Sequence, residues 1–331
     1  MVLGYDYQYD YSHNSTDSNQ DITMTFSRRN LIKAGMVAGL SSSTTHWNSL
    51  LAQGNQLNMT TIPSSGQRLP SIGIGCRDFR GPENPQQANE FRDTFATFHR
   101  LGGKIVDTSP NYGNSEEVIG NIMNNLGVRN DLWIATKVDR QSSQDGIDRM
   151  ESSFERLGGD NFDLMQVHNL RGTDVQLETM GAWKEQARFR HIGVTTSSDR
   201  QYSEMEAIIN RHTLDFIQVD YSLGNRGAAD RLLPLAQDRG IAVLVNLPFG
   251  RGRLFSAVGD RSLPDWAADI GATSWAQVFL KYVVSFPGSV IPIPGTTKPH
   301  HAEDNLAAAK GSLPDANMRR EMERFIDPLL A

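Results

Sequence analysis

Short apolar runs alternate with segments of helical periodicity along most of the chain. Between the runs, apolar side chains recur at helical spacing, as in Phe91, Phe95 and Phe98. Most of the runs are apolar on both faces, which is typical of parallel strands covered by helices. Eight such runs predict an α/β fold of the (β/α)8 or TIM barrel class. The predicted strands cover residues 71–75, 104–108, 132–137, 163–168, 191–196, 216–221, 242–247 and 289–295.

A doubly wound, dinucleotide-binding sheet is the alternative fold. Its fingerprint, G-x-G-x-x-G, requires a third glycine, but Gly73 and Gly75 are followed by Asp78 at that place. The pattern therefore favours the barrel, in which the carboxyl ends of the strands carry the active site and long loops set specificity. Residues 249–275 and 311–331 are predicted as such loops. The side chains expected to line the substrate pocket are Arg77, Phe79, Arg80, Arg171 and Trp266.

The first 53 residues differ from the rest, because they are rich in small polar side chains and show little periodicity. Residues 27–33, SRRNLIK, resemble the bacterial twin-arginine export signal S-R-R-x-F-L-K. We therefore expect residues 1–53 to form a polar export leader that is disordered or removed, and residues 54–331 to form the barrel domain. The resemblance implies the twin-arginine (Tat) translocase as a partner and a periplasmic location. The alternative is a cytoplasmic protein with two surface arginines before an amphipathic helix.

Composition excludes several classes of protein. Of the 331 residues, 38% are hydrophobic, which suffices for one large or two ordinary domains. Because 32 basic and 38 acidic residues give a net charge of −6, the chain lacks the basic surface that nucleic acid requires, and no nucleic-acid partner is expected. Cys76 is the single cysteine, which excludes an internal disulfide and a cysteine-based zinc site. No metal site is predicted, and no pattern fixes the oligomeric state.

Four chemically active side chains follow three neighbouring predicted strands. Asp107 ends the second strand, Tyr112 follows five residues later, Lys137 ends the third strand and His168 ends the fourth. We expect them to converge on one pocket at the rim of the barrel. There the lysine charge would lower the pKa of the tyrosine hydroxyl, which is ordinarily about 10. A histidine opposite would orient a carbonyl oxygen, and the tyrosine would protonate that oxygen as hydride reaches the carbonyl carbon.

Asp107 and Tyr112 lie in a motif that resembles the aldo-keto reductase superfamily. The segment GGKIVDTSPNYGNSEEVIG is close to G-x-x-x-x-D-T-A-x-x-Y-G-x-S-E-x-x-x-G, and the segments FERLGGDNFDLMQVHN, RHIGVTTS and VIPIPGTTKPHHAEDN extend the resemblance over about residues 57–310. The resemblance implies an NAD(P)H-dependent oxidoreductase that reduces a small-molecule aldehyde or ketone to an alcohol, or catalyses the reverse. It implies Tyr112 as proton donor, Lys137 and Asp107 as the residues that tune it, and His168 as the residue that orients the carbonyl.

The resemblance also implies a nicotinamide cofactor, with NADP(H) preferred and NAD(H) possible. Asn246 stands where the family often stacks a tyrosine on the nicotinamide, Thr196 where it has an asparagine, and His301 where it has an arginine for the 2′-phosphate. These departures keep open an alternative function, a cofactor-binding sensor or regulatory subunit with little turnover. A barrel with isomerase or lyase chemistry is a third possibility. The implied cofactor-binding residues are Asn169, Thr195, Gln218, Leu247, Phe249, Gly250, Arg251, Thr296, Lys298, His301, Asp304 and Asn305.

Overall fold

The structure, a computed structural model, describes residues 56–159 and 161–331. The predicted export leader lies outside the described residues. Within the described part of the chain, no helix is long and apolar enough to cross a membrane. The strands are β1 (Met59–Thr61), β2 (Arg68–Pro70), β3 (Ile74–Gly75), β4 (Ile105–Asp107), β5 (Trp133–Val138), β6 (Phe162–Val167), β7 (Phe189–Thr195), β8 (Phe216–Asp220), β9 (Ala242–Asn246) and β10 (Val290–Pro292). The α-helices are α1 (Pro85–Arg100), α2 (Ser115–Leu126), α3 (Ser143–Leu157), α4 (Thr173–Glu185), α5 (Tyr202–Arg211), α6 (Leu232–Asp238), α7 (Arg253–Val258), α8 (Trp275–Val284), α9 (Pro299–Ala307) and α10 (Ala316–Leu330).

Strands β3 to β10 form one parallel sheet in chain order, and the sheet closes on itself. A parallel bridge joins Gly75 to Gly295, and the amide of Gly75 donates to the carbonyl of Pro294 at 3.0 Å. A Cβ atom at Gly75 would lie 2.8 Å from the carbonyl oxygen of Ile293, so this closure requires glycine. The prediction of a (β/α)8 barrel is confirmed, and each of the eight predicted strands overlaps an observed one.

The helices that surround the sheet begin and end where local sequence signals favour it. The side chain of Asn84 accepts a 2.9 Å hydrogen bond from the amide of Gln87 and so caps α1. Along α1, Phe91, Phe95 and Phe98 are buried, as their helical spacing predicts. This apolar face packs into the core between the helices and the sheet, where burial contributes about 1.5–3 kcal/mol for each large side chain.

A short antiparallel hairpin, β1 with β2, precedes the barrel and was not predicted from the sequence pattern. Ile62 and Leu69 of this hairpin are buried in a second apolar cluster with Trp133 and Phe216, which lie at the starts of β5 and β8. The indole of Trp133 also donates to the side chain of Gln67 at 3.2 Å. The hairpin therefore covers the amino-terminal end of the barrel, opposite the ends of the strands that carry the polar residues.

The expectation of loops over 249–275 and 311–331 is wrong in part. The first segment contains α7, and most of the second is the fifteen-residue helix α10. The carboxylate of Asp315 caps α10 by accepting from the amides of Asn317 and Met318, and the helix buries Met322 and Ile326. A continuous amphipathic face thus makes this segment part of the packed structure.

Two residues expected to line a substrate pocket contribute to packing instead. Phe79 is fully buried, and its ring lies 5.0 Å from that of Phe91 and 5.1 Å from that of Phe95. Trp266 packs edge-on against Phe325 of α10, with 6.1 Å between the ring centroids. Both large apolar rings are stabilised by aromatic partners, so neither is assigned to a pocket.

Candidate active site

The four chemically active side chains meet at the carboxyl ends of β4, β5 and β6. Asp107 is the last residue of β4, Lys137 lies near the end of β5 and His168 directly follows β6. Tyr112 lies on the turn between β4 and α2, where its amide donates to the carbonyl of Ser109 at 3.0 Å. Because parallel strands end at the same rim, residues 61 positions apart in the chain become neighbours.

Lys137 and Asp107 form a buried ion pair. The ammonium of Lys137 lies 2.6 Å from Oδ2 of Asp107 and also donates to the carbonyl of Thr108 at 2.7 Å. Only 1% of the Lys137 side chain is exposed. Burial alone would lower the pKa of Lys137, but the charges of Asp107 and Tyr112 overcome this effect and raise it. The lysine is therefore a cation at neutral pH.

Tyr112 lies beside this cation. Nζ of Lys137 is 5.3 Å from the centroid of the Tyr112 ring. Burial raises the pKa of the Tyr112 hydroxyl, and the positive charge of Lys137 opposes that rise without cancelling it. Lys137 therefore acts in the predicted direction, but desolvation of the phenolate outweighs the attraction of the cation, and the net pKa of Tyr112 is raised. The hydroxyl stays protonated at neutral pH.

His168 completes the cluster with its ring edge-on to Tyr112. The two ring centroids are 5.9 Å apart and the planes are at 88°. Burial, together with the positive charge of Lys137, lowers the pKa of His168 to about 3. The imidazole is therefore neutral at physiological pH, and it can donate a hydrogen bond without carrying charge.

Two glutamines extend the cluster across the barrel interior, and sequence reasoning assigned only one of them to the site. Nε2 of Gln166 lies 3.3 Å from Oδ1 of Asp107, and Nε2 of Gln218 lies 3.4 Å from Oδ2. Both glutamines are buried, and the Oε1 atom of each lacks a hydrogen-bond partner among the described residues. Alternation along β6 places Gln166 on the same face as Leu164, a signal that could have identified it.

Two further residues of the sequence motif, Glu116 and Gly120, make structural contacts. Both carboxylate oxygens of Glu116 are engaged, with Thr136 at 2.5 Å and Arg156 at 2.7 Å. Gly120 packs so closely on α3 that a Cβ atom would lie 2.0 Å from the backbone oxygen of Arg156. These contacts hold α2 against α3 and thereby fix the turn that carries Tyr112.

Residues implied in nicotinamide binding lie at the ends of β6 to β9. Thr195 pairs with Gln218 in the sheet, and its Oγ1 lies 3.5 Å from the amide nitrogen of Asn169. Asn246 donates from Nδ2 to the carbonyl of Thr196 at 3.0 Å. Oδ1 of Asn246, like Oε1 of Gln218, is buried without a partner among the described residues. The rim therefore presents unpaired acceptors that suit the amide and hydroxyl donors of a nicotinamide nucleotide.

The turn after β9 has an unusual backbone. Leu247, Gly250 and Arg251 all have positive φ angles, of 51°, 58° and 56°. Left-handed residues in such turns direct backbone N–H groups toward one side, an arrangement that binds phosphate oxygens. The ring of Phe249 packs against Phe255 at 5.0 Å, which anchors the turn to α7. The sequence resemblance implies that the backbone of this turn lies beside the pyrophosphate of the cofactor.

Residues implied to bind the adenosine end lie after β10 and on α9, and several already have protein partners. Lys298 is paired with Glu90, with 2.8 Å between Nζ and Oε2. Both carboxylate oxygens of Asp304 accept hydrogen bonds from the start of α8. Burial and the neighbouring His300 lower the pKa of His301, so that side chain is a neutral group. Thr296 accepts from the amide of Lys298 at 3.1 Å, and Asn305 is buried.

No group of three or more side chains that could hold a metal ion occurs among residues 56–159 and 161–331. The rim presents organic side chains that can carry chemistry. They comprise an ammonium–carboxylate pair, a protonated phenol and a neutral imidazole. Together these groups can bind a polarised oxygen and protonate it.

Known proteins share both the sequence pattern and the fold. Residues 71–323 match the Aldo/keto reductase family. Methylglyoxal reductase YeaE of Escherichia coli is 28% identical over 76% of this chain and 89% of its own length. Aldo-keto reductase yakc [NADP(+)] of Schizosaccharomyces pombe is 25% identical over 81% of this chain and 92% of its own. An aldo/keto reductase from Klebsiella pneumoniae, solved with NADP and acetate, superposes with a TM-score of 0.69 at 23% identity, covering 82% of this chain and 96% of its own. The chain therefore belongs to the aldo/keto reductase family.

Proposed function

We propose that this protein is an NAD(P)H-dependent oxidoreductase that reduces an aldehyde or ketone to an alcohol, or catalyses the reverse reaction. The observation that carries the proposal is the buried Lys137–Asp107 pair, which lies directly beside the rings of Tyr112 and His168. Burying an ion pair costs desolvation free energy that an apolar pair would not, so a buried pair at the rim points to a role other than stability. Here the role is to stabilise charge on the tyrosine oxygen.

Tyr112 is proposed as the proton donor. When bound, the reduced nicotinamide supplies a hydride to the carbonyl carbon. The carbonyl oxygen, on which negative charge develops, then accepts the hydroxyl proton of Tyr112. The O–H bond of the alcohol forms as the O–H bond of the phenol breaks. The ammonium of Lys137 stabilises the phenolate that remains, and Asp107 keeps the ammonium in place. Neutral His168 donates a hydrogen bond that orients the substrate oxygen.

The cofactor is proposed to be NADP(H) in preference to NAD(H). The name of the Schizosaccharomyces pombe relative specifies NADP(+), and the Klebsiella pneumoniae structure contains NADP. Gln218 and Asn246 offer buried oxygens at the rim that have no partner among the described residues and fit the donors of a nicotinamide nucleotide. The left-handed turn at Leu247, Gly250 and Arg251 fits the pyrophosphate.

A Tyr112→Phe variant tests the assignment of the proton donor. A positioned general acid contributes roughly 10²–10⁴-fold, so we expect kcat for carbonyl reduction to fall by about this factor. NADPH binding, measured by quenching of intrinsic tryptophan fluorescence, should be unchanged. Tyr282→Phe is the matched control, since that hydroxyl bonds Glu323 on α10 and belongs to none of the residues assigned to the site. Full reductase activity in Tyr112→Phe would contradict the proposal.

The alternative of a cofactor-binding sensor makes the opposite prediction for the unmodified protein. The sensor would bind NADPH tightly but turn over no aldehyde, ketone or sugar in a broad panel. Asn246, in place of a ring that stacks on the nicotinamide, is the feature that favours this alternative. A stacked aromatic contact contributes about 0.5–1.5 kcal/mol, so its loss weakens binding without abolishing it. The complete cluster of Asp107, Tyr112, Lys137 and His168 favours the enzyme.

We also propose that the protein is exported by the twin-arginine pathway, on the basis of Arg28 and Arg29 in the leader sequence. That pathway carries folded proteins, so the cofactor could travel already bound. The double variant Arg28→Lys, Arg29→Lys should keep the protein in the cytoplasmic fraction of a bacterial host. Extraction of the periplasmic protein should release a nicotinamide nucleotide. Equal fractionation of the variant and the parent protein would contradict export by this route.

A further inference from the structure

Two side chains that the proposed proton transfer does not use contact His168 on one edge of its ring. Oγ of Ser109 lies 3.1 Å from Nδ1 of His168, and Nδ2 of Asn111 lies 3.4 Å from the same nitrogen. Ser109 is completely buried. Among the described residues, Nε2 of His168 has no hydrogen-bond partner. The protein therefore holds the imidazole at Nδ1 alone and leaves the other nitrogen available.

The orientation of the Asn111 amide is fixed by two charged neighbours. Its Nδ2 donates to Oδ2 of Asp139 at 2.7 Å, and its Oδ1 accepts from the guanidinium of Arg149 at 2.6 Å. A carboxylate only accepts hydrogen bonds and a guanidinium only donates them. A flipped amide would set oxygen against oxygen and nitrogen against nitrogen. The NH2 group of Asn111 therefore faces both Asp139 and Nδ1 of His168, and it meets Nδ1 as a donor.

Ser109 also meets Nδ1 as a donor. Its Oγ accepts a 3.1 Å hydrogen bond from the backbone amide of Asn111. In the described part of the chain, the acceptor within reach of the Ser109 hydroxyl proton is Nδ1 of His168. A proton on Nδ1 would leave that hydroxyl proton without an acceptor and would oppose the NH2 group of Asn111. Leaving a buried donor unpaired is unfavourable, because the group loses its hydrogen bonds to water and gains none in the protein.

A neutral imidazole has one donor nitrogen and one acceptor nitrogen. With Nδ1 as the acceptor of Ser109 and Asn111, the proton resides on Nε2. An Nε2–H group at the open edge of the ring can donate to a carbonyl oxygen, whereas a bare Nε2 would present a lone pair that repels it. The tautomer therefore determines whether His168 can orient the substrate.

We propose that Ser109 and Asn111 are positioning residues that hold His168 in the tautomer protonated at Nε2. Asp139 and Arg149 act one step further out by fixing the Asn111 amide. The effect on catalysis rests on the proposed function, because it requires a carbonyl oxygen as the acceptor. The tautomer itself is a property of the free protein and does not require turnover.

Nitrogen-15 NMR of protein with labelled histidine tests the tautomer directly. The resonances of His168 are assigned by their loss in His168→Gln. We expect the unmodified protein to show a proton on Nε2 and a bare Nδ1, with no titration between about pH 5 and pH 8. In the double variant Ser109→Ala, Asn111→Leu we expect resonances of both tautomers. The control Ser71→Ala removes a buried hydroxyl that has no partner, and it should leave the His168 resonances unchanged.

Kinetics then connect the tautomer to catalysis. For the double variant we expect kcat to fall about 5- to 10-fold, as is typical when one hydrogen bond of about 1–1.5 kcal/mol is lost. The Kd of NADPH should be unchanged, which separates this effect from damage to the cofactor site. If the double variant does not fold, the single variant Ser109→Ala is used in its place. We then expect a smaller population of the Nδ1 tautomer and a smaller fall in kcat.

Two results would overturn the inference. One is a proton on Nδ1 in the unmodified protein. The other is a folded variant that keeps only the Nε2 tautomer and an unchanged kcat. Absence of turnover with every carbonyl compound would instead contradict the proposed function, and the NMR result would still decide the tautomer.

Discussion

Nζ of Lys298 donates a 2.8 Å hydrogen bond to Oε2 of Glu90, which joins the segment after β10 to α1. Both side chains are partly exposed, at 47% and 31%. Lys298 is the cation that the sequence places nearest the expected 2′-phosphate, so a carboxylate already occupies one of its hydrogen-bonding directions. A carboxylate accepts hydrogen bonds from ribose hydroxyls and repels a phosphate. If Lys298 binds the 2′-phosphate, as the resemblance implies, Glu90 weakens the binding of NADP(H).

Glu90→Gln should shift cofactor preference toward NADPH. Removing the negative charge frees Lys298, and exposed pairs of this kind are worth about 0.2–1 kcal/mol, so the Kd of NADPH should fall by up to about 5-fold. The Kd of NADH should change little. Fluorescence quenching at low ionic strength measures both constants, with Glu178→Gln, an exposed glutamate on α4, as the control. An equal change in the Kd values of NADPH and NADH would show that Glu90 does not distinguish a 2′-phosphate from a 2′-hydroxyl group.

The pKa values at the rim predict how turnover depends on pH. The pKa of His168 is lowered to about 3, so the imidazole is neutral above about pH 4. The pKa of Tyr112 is raised, so its hydroxyl keeps its proton up to at least about pH 10. The kcat for reduction should therefore be flat between these limits. The kcat for alcohol oxidation, which starts from the phenolate, should rise with pH.

Steady-state kinetics at saturating cofactor and substrate check both directions. At saturation kcat does not depend on the affinity for cofactor or substrate. A change in cofactor binding caused by ionisation of the cofactor phosphate therefore does not alter the pH profile of kcat. An inflection near pH 6.5 that disappears in His168→Gln would show that the histidine titrates, contrary to its burial beside Lys137.

Gly120→Ala should destabilise the protein without altering its chemistry. The added methyl group would lie 2.0 Å from the backbone oxygen of Arg156, so α2 must move away from α3. Overpacking of this kind costs about 1–3 kcal/mol, which urea unfolding measures as a lower midpoint. Gly181→Ala on α4 is the control, because within the described structure its methyl group meets no atom within 4 Å beyond the backbone of its own helix, and it should stabilise the helix by about 0.5–1 kcal/mol. Equal effects of the two variants would contradict the packing argument.

Much of the barrel could be predicted because its signals are local and repeated. The strands are short apolar runs, and helices such as α1 carry both a capping residue, Asn84, and an apolar face. The active cluster could be anticipated because parallel strands bring their carboxyl ends to one rim, whatever lies between them in the chain. The position of each residue at or near the carboxyl end of its strand was sufficient to place Asp107, Lys137 and His168 at the same rim of the barrel.

The contacts that determine chemistry at the rim could not be predicted in the same way. The sequence places Ser109 and Asn111 near the rim, but it does not show that both donate to Nδ1 of His168. Nor does it show that burial outweighs Lys137 in setting the pKa of Tyr112, because desolvation depends on every neighbouring atom. The hairpin of β1 and β2 was missed because strands of three residues are too short to show an alternating pattern.

That hairpin also bears on the side from which small molecules reach the barrel. With Ile62 and Leu69 packed against Trp133 and Phe216, the hairpin covers the starts of the strands, and the active cluster lies at the opposite rim. We therefore expect the nucleotide and the carbonyl compound to approach Tyr112 from this rim. Residues around this rim can therefore be substituted to bind other small molecules, while the covered end of the barrel keeps its stabilising contacts.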